Sequence, residues 1–387
     1  MIPIKGLYFI VFVKSNRKTY IKRVNMSLVF IGMENDTRSL ERLVVFDCDI
    51  GTDDAWALAL LLRGEQLSLP SGRRYKLIAI TCVQGNTDVV NGAQNALRIL
   101  RLLERRDVPV FRGCAHPIVT RTWLDISRFH GTDGLNDVGG YPDVSDLQEQ
   151  LQQEHAVNAM YRLVCQYPKQ IDFLLCGPLT NFANCINLYG DDFLDKIGGI
   201  YIMGGNIFGR GNIMKCAEFN FVMDPEAAHT TLERLKVPAV VLPWEPSIDD
   251  DFKLSLDWRL DVLGSVDHPF VKLLSRVERS MLVPRGIKHW INPDAALAAA
   301  YIFPKAMIAE QLDYHATVEL AGVHTRGQMV LDHLRGRRVD AIHGKKSNVR
   351  IITHLNREPF RTIMSWTGFL PGVDITELCE QEHPNNL

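Results

Sequence analysis

Val44-Val45-Phe46-Asp47-Cys48-Asp49-Ile50-Gly51-Thr52-Asp53-Asp54 is the stretch on which the reading turns. Its apolar start, with two β-branched residues, fits a buried strand. Four carboxylates then fall within eight positions, and Ala55-Trp56-Ala57-Leu58 opens an apolar helix. Acids favour a helix N-terminus, so Asp53 or Asp54 alone would pass as a cap. Four together repel one another unless a positive charge sits among them. A hard divalent cation with oxygen ligands meets that demand.

Outward from this point, short apolar runs rich in β-branched residues alternate with amphipathic helical stretches. Leu43–Phe46, Leu77–Cys82, Ile171–Leu175, Ile200–Met203 and Ala239–Leu242 read as buried strands. Ala55–Arg63, Val89–Leu103 and Pro225–Leu235 read as helices between them, with further strands at Ala316–Leu320 and Val349–His354 and a last helix near Glu358–Met364. The alternation predicts an α/β fold: an open, mostly parallel, Rossmann-like sheet with helices on both faces. Ligands in such sheets sit beyond the carboxyl ends of the strands, so the informative residues are those that follow each strand.

The chain of 387 residues is 46% hydrophobic, enough for a sizeable core, and its 43 basic and 45 acidic residues leave a formal charge of −2. No basic field is present to hold a nucleic-acid polymer. The expected partner is a small molecule. The eight cysteines stand singly with no Cys-x-x-Cys pair, which fits a reduced, cytoplasmic protein. No apolar run reaches the roughly 20 residues needed to span a bilayer. Gly6–Val13 after Lys5 faintly resembles a signal peptide but is short and lacks a small-residue cleavage site. Residues 1–40 mix that run with basic clusters and no sustained period, and read as an N-terminal extension without expected order; the functional domain is 41–387.

Several later segments follow predicted strands. These are Gln84-Gly85-Asn86-Thr87, Cys176-Gly177-Pro178-Leu179-Thr180-Asn181, and Met203-Gly204-Gly205-Asn206 leading to Asn212, Glu218-Phe219-Asn220 and Asp224-Pro225-Glu226-Ala227-Ala228. His130-Gly131-Thr132-Asp133-Gly134-Leu135 forms a Gly-rich loop, and Asn292-Pro293-Asp294-Ala295 opens an Ala-rich helix. Each has a plain reading. Asn86 suits a turn or helix cap, His130 a surface loop, and Asp294 a cap. Glu218 and Asn220 flank Phe219 and would point the same way on an extended segment, an arrangement suited to gripping vicinal hydroxyls.

Asp47-Cys48-Asp49-Ile50-Gly51-Thr52-Asp53-Asp54 resembles, at every fixed position, the Asp-x-Asp-x-Gly-x-Asp-Asp opening of the inosine-uridine-type nucleoside hydrolases. The later segments are similar to that family's pattern in order, over roughly residues 43–370. The resemblance implies the nucleoside hydrolase fold, a Ca²⁺ cofactor, and hydrolysis of the N-glycosidic bond of a ribonucleoside to ribose and free base. It implies Asp49, Asp54, Asp294 and the Cys176 carbonyl as calcium ligands, and Asp49 as the base that activates a calcium-bound water. It further implies Asp53, Asn86, Asn212, Glu218, Phe219, Asn220 and His130 as the substrate-binding set, and a homodimer or homotetramer. The attack passes through an oxocarbenium-like transition state. Pro293 departs from the family pattern, which often has a His there to protonate the leaving base; His130, His289 and Trp290 remain as candidates, with a lean towards purine nucleosides.

Two rivals stay open. Haloacid-dehalogenase-type phosphatases carry Asp-x-Asp-Gly-Thr, which Ile50 interrupts here, and would use Asp47 as nucleophile; Gly190-Asp191-Asp192-Phe193-Leu194-Asp195 offers a decoy for their later acidic motif. The second is a catalytically weakened homologue that binds nucleoside-like ligands without turnover.

Overall fold

Strand β1 (Glu41–Cys48) sends alternate side chains to opposite faces: Val44, Phe46 and Cys48 join one apolar core, and Val45 the other. The same period of two recurs in Ile171–Leu175, where Leu174 enters the first core and Phe173 and Leu175 the second. Burial on both faces is what makes these strands read as continuous apolar runs. The computed structural model describes residues 10–15, 18–23, 41–67, 69, 74–119, 129–333 and 346–382.

The remaining strands of this sheet are β2 (Arg74–Cys82), β3 (Val110–Arg112), β4 (Leu151–Gln152), β5 (Ile171–Leu175), β6 (Gly199–Met203), β7 (Ala239–Leu242), β8 (Ile308–Tyr314) and β9 (Val349–Leu355). Their spatial order is β8-β9-β7-β6-β5-β1-β2-β3-β4. All neighbours are parallel except the edge pair β8 and β9. The fold is therefore the expected α/β type, with an antiparallel edge strand that the sequence reading did not include.

From β1 the chain moves outward through β2, β3 and β4, then returns to the other side of β1 at β5. The crevice between β1 and β5 is thus the switch point, where an open parallel sheet presents a ligand site. Helices α1 (Thr52–Gly64), α2 (Val89–Leu102), α7 (Pro269–Leu282), α8 (Pro293–Ile302) and α9 (Arg357–Thr367) pack on the first face. Helices α3 (Ala156–Gln166), α4 (Thr180–Leu194) and α6 (Pro225–Arg234) pack on the second.

Ala316–Val318 forms a separate two-stranded sheet with Met329–Leu331 instead of extending the main one. The chain divides into two compact units, Met1–Ser39 and Leu40–Leu387. In the first, Ile10–Ser15 pairs antiparallel with Lys18–Arg23. Among the described residues, no helix is long and apolar enough to cross a membrane.

Candidate active site

The turn after β1 is built inward. Gly51 precedes the first residue of α1, and the Asp54 carboxylate accepts its N–H at 2.8 Å and that of Asp49 at 3.3 Å. Asp54 therefore closes the turn and also faces the crevice. Asp49 accepts from the Asn86 backbone N–H at 2.7 Å and from its side-chain amide at 3.1 Å. The same amide lies 3.3 Å from Asp54 Oδ2, so Asn86 bridges two carboxylates from the neighbouring strand end. Asn86 does not cap α2; Asp88 does, accepting from Val90 and Asn91.

Asp53, Asp54 and Asp294 each place a carboxylate oxygen within 4.8 Å of the other two. Asp294 comes from the second residue of α8; the cap of that helix is Asn292, whose side chain accepts from the Ala295 N–H at 3.0 Å. Of the ligand set expected from sequence, Asp54 and Asp294 stand in this group. Asp49 lies outside it, with both oxygens directed to Asn86, and Asp53, expected on the ribose, takes part.

As ions, these carboxylates would need a counter-charge. Burial, then repulsion from Asp53, pushes Asp54 up to about 8. Burial and neighbouring carboxylates also hold Asp49 and Asp294 well above the usual range. Asp53 Oδ1 is buried without a hydrogen-bond partner. Carboxylates in this density, with an orphaned oxygen among them, fit a hard oxygen-seeking cation such as Ca²⁺. The Cys176 carbonyl, at the end of β5, accepts from the Asn220 amide at 3.2 Å, which ties it to the same crevice.

Glu218 and Asn220 do not alternate on an extended segment. Glu218 caps the short helix α5 (Phe219–Met223): its carboxylate accepts from the N–H groups of Asn220 and Phe221, and from Gly205 across the loop. Helix geometry won because the Glu side chain supplies the acceptor that free N–H groups at a helix start require. Both residues still line the cavity, with Phe219 and Asn212 beside them.

The cavity measures about 600 Å³. Asp53, Asn86, Asn212, Glu218, Asn220 and Asp294 make its polar side, while Phe129, Met281, Leu282, Ile287 and Trp290 supply apolar wall. His130, in the substrate-binding set that the resemblance implies, lines it too. Its Nδ1 accepts from the Thr52 N–H at 3.4 Å and its Nε2 lies 3.8 Å from Asp53 Oδ1. Burial lowers its pKa, favouring the neutral ring. His289 and Pro293 also face the space. Met281 and Leu282 had no motif to mark them, since the period of α7 announces only a core face, and Ile287 follows that helix in a loop.

Asp47, the nucleophile of the phosphatase reading, is sealed below the site. It is 0% exposed, and its Oδ1 accepts from Thr81 Oγ1 at 2.6 Å and from the Asn181 amide at 2.8 Å. Asn181 of the Gly-Pro-Leu-Thr-Asn segment is thus a brace for β1. The decoy acids lie on the surface, where Lys236 pairs with Asp195 at 2.8 Å and Asp191 at 3.2 Å.

The chain is similar to known proteins. Residues 44–362 match the family described as inosine-uridine preferring nucleoside hydrolase. The chain is 27% identical over 327 residues to the pyrimidine-specific ribonucleoside hydrolase RihA of Salmonella arizonae, covering 83% of this chain and 96% of that protein. It is 32% identical over 191 residues to the inosine-uridine preferring nucleoside hydrolase of Crithidia fasciculata, covering 49% and 56%. Among solved structures, the plant nucleoside hydrolase PpNRh1 aligns with a TM-score of 0.73 at 25% identity, covering 85% of this chain and 99% of that one. An inosine-guanosine nucleoside hydrolase aligns with a TM-score of 0.74 at the same identity and coverage.

Proposed function

The chain belongs to the inosine-uridine preferring nucleoside hydrolase family, and from that premise we propose that it hydrolyses the N-glycosidic bond of ribonucleosides, with Ca²⁺ as cofactor and Asp49 as general base. The observation that carries this reading is the group Asp53, Asp54 and Asp294, of which Asp53 and Asp294 line one cavity with Asn86, Glu218 and Asn220. Asp54, Asp294 and the Cys176 carbonyl would hold the cation, with Asp53 or Asp49 completing the carboxylate set. Lewis acidity at the attacking water and an anchor for ribose hydroxyls are what a bound calcium supplies.

The protein residues do the rest. Asp49, fixed at both oxygens by Asn86, takes the proton from the water as it attacks C1′. Asn86, Asn212, Glu218 and Asn220 bind the ribose hydroxyls and hold the sugar as positive charge develops on it. The Glu218 carboxylate suits that task because three backbone N–H groups fix its position before substrate arrives. The departing base lies against the apolar wall that Phe129 and Trp290 help to line. With Pro293 in place of an imidazole, His130 and His289 are the groups left to assist departure.

The activity resides in residues 41–387, and the unpaired cysteines fit a reducing cytoplasm. A homodimer or homotetramer is the assembly we expect.

Release of reducing sugar from inosine, adenosine, guanosine, uridine and cytidine tests the reading, with calcium or a chelator and with Asp49→Asn alongside. Calcium-dependent release, fastest with purines and lost in the variant, is the expected result. No release from any of the five by folded, calcium-binding protein would overturn it. Pro293 favours one second reading, a protein that binds nucleosides without cleaving them, and that outcome with calcium-dependent inosine binding would establish it.

A further inference from the structure

Beside the apolar wall lies a buried ion pair that hydrolysis as described does not use. Arg259 is 0% exposed and Glu278 1%, with Nε and Oε2 2.8 Å apart. Desolvating two charges is costly, and an apolar pair of similar size in such a place is often as stable or more so. Stability alone therefore gives no strong reason for the pair.

Its geometry gives another. Glu278 Oε1 accepts two indole N–H groups, from Trp56 at 2.9 Å and from Trp290 at 3.3 Å. The two rings meet edge to face at 5.7 Å. Trp56 stands two residues beyond Asp54 on α1, and Trp290 stands four residues before Asp294 and lines the cavity, as Glu278 itself does. Arg259 lies over both rings, 4.7 Å from Trp56 and 5.6 Å from Trp290, and donates to Ser275 Oγ at 3.0 Å. One carboxylate oxygen thus ties together the two segments that bring carboxylates to the crevice.

We propose that Glu278, backed by Arg259, is a positioning residue for the hydrolysis: it clamps Trp56 and Trp290 so that the wall facing the leaving base and the segments bearing Asp54 and Asp294 keep one geometry. The proposal rests on the hydrolase reading of the cavity. Without the acceptor, each indole would have a buried N–H to satisfy and would turn to find a partner. Misplacement of reacting groups on the ångström scale is enough to cost a large part of the rate.

Two double variants test it, Arg259→Met/Glu278→Gln and Arg259→Met/Glu278→Leu. Both remove the two charges, and only the first keeps an oxygen for the indoles. Both should unfold within a few degrees of wild type. The Gln form should retain kcat for inosine within about threefold, whereas the Leu form should lose about tenfold or more, chiefly in kcat. Equal turnover by the two forms would overturn the clamp. Trp290→Phe keeps the ring face, removes its N–H and leaves the ion pair intact; it should also lose kcat, and full activity in it would overturn the proposal even if a double variant failed to fold. If wild type cleaves nothing, the hydrolase reading fails separately. The clamp is then judged by calorimetric inosine affinity, at least about tenfold weaker in the Leu than the Gln form if it holds, and equal if it does not.

Discussion

Gly85 is glycine because Asp49 fills the space a side chain would need. A Cβ built there would stand 1.8 Å from Asp49 Oδ2. Gly85→Ala must therefore displace the carboxylate proposed as general base, and an ångström of error there costs on the order of 100-fold in kcat. We expect that loss in ribose release with an unchanged circular dichroism spectrum; normal turnover would mean Asp49 is not the base. Glu218 gives a second prediction. Burial lifts its carboxyl from the ordinary 4.5 to about 7, against the pull of its three N–H donors. A folded-state pKa raised above the unfolded one favours folding below pH 4.5, and that contribution is lost as pH rises through about 7. The full swing is on the order of 3 kcal/mol, at about 1.4 kcal/mol per pKa unit. Thermal midpoints at fixed calcium should fall more steeply between pH 5 and 7 in wild type than in Glu218→Gln. Parallel slopes would remove Glu218 from the pH dependence.

Elements carry these residues to one place, and their ends matter more than their middles. Helix α8 is Ala-rich from Ala295 to Ala300 and starts with Pro293, whose fixed φ suits the first turn. Asn292 closes that turn through the Ala295 N–H, and Asp294 sits inside it. Asn292→Ala should cost about 1 kcal/mol in urea unfolding, and because the frayed turn includes Asp294, half-maximal activity should require more calcium. A stability loss with an unshifted calcium titration would separate the cap from the site. The buried strands were legible in sequence because their residues face apolar cores on both sides. The edge strand β8 was not, since most of Ile308–Tyr314 is exposed or half-exposed and carries Glu310, Gln311 and Asp313. β3 and β4 are too short to show a period. Asp49 and Asp54 were legible through spacing after a strand. Glu278 and Arg259 were not: a Glu and an Arg on amphipathic segments look solvated until tertiary packing buries them.

At the scale of the whole molecule, the topology concentrates negative charge where the protein can least hydrate it. The formal charge of the chain is only −2, yet Asp49, Asp53, Asp54 and Asp294 converge at the switch point between β1 and β5, three of them almost fully buried. Without a cation this convergence opposes folding, because the unfolded chain lets the same carboxylates hydrate apart. A cation held by the native state alone adds stability that grows with its concentration, about 2.7 kcal/mol at a hundredfold excess over Kd. Chelation should therefore lower the thermal midpoint of wild type by several degrees, and calcium should restore it. Asp294→Asn separates repulsion from ligation. It removes one like charge, so in chelator it should unfold at or above the wild-type midpoint; it also removes a ligand, so calcium should raise its midpoint little. Differential scanning calorimetry of the two proteins with and without calcium gives all four values. A wild-type midpoint indifferent to calcium would mean that the carboxylate group is held together by protons and not by a metal, and the cofactor assignment would fall with it.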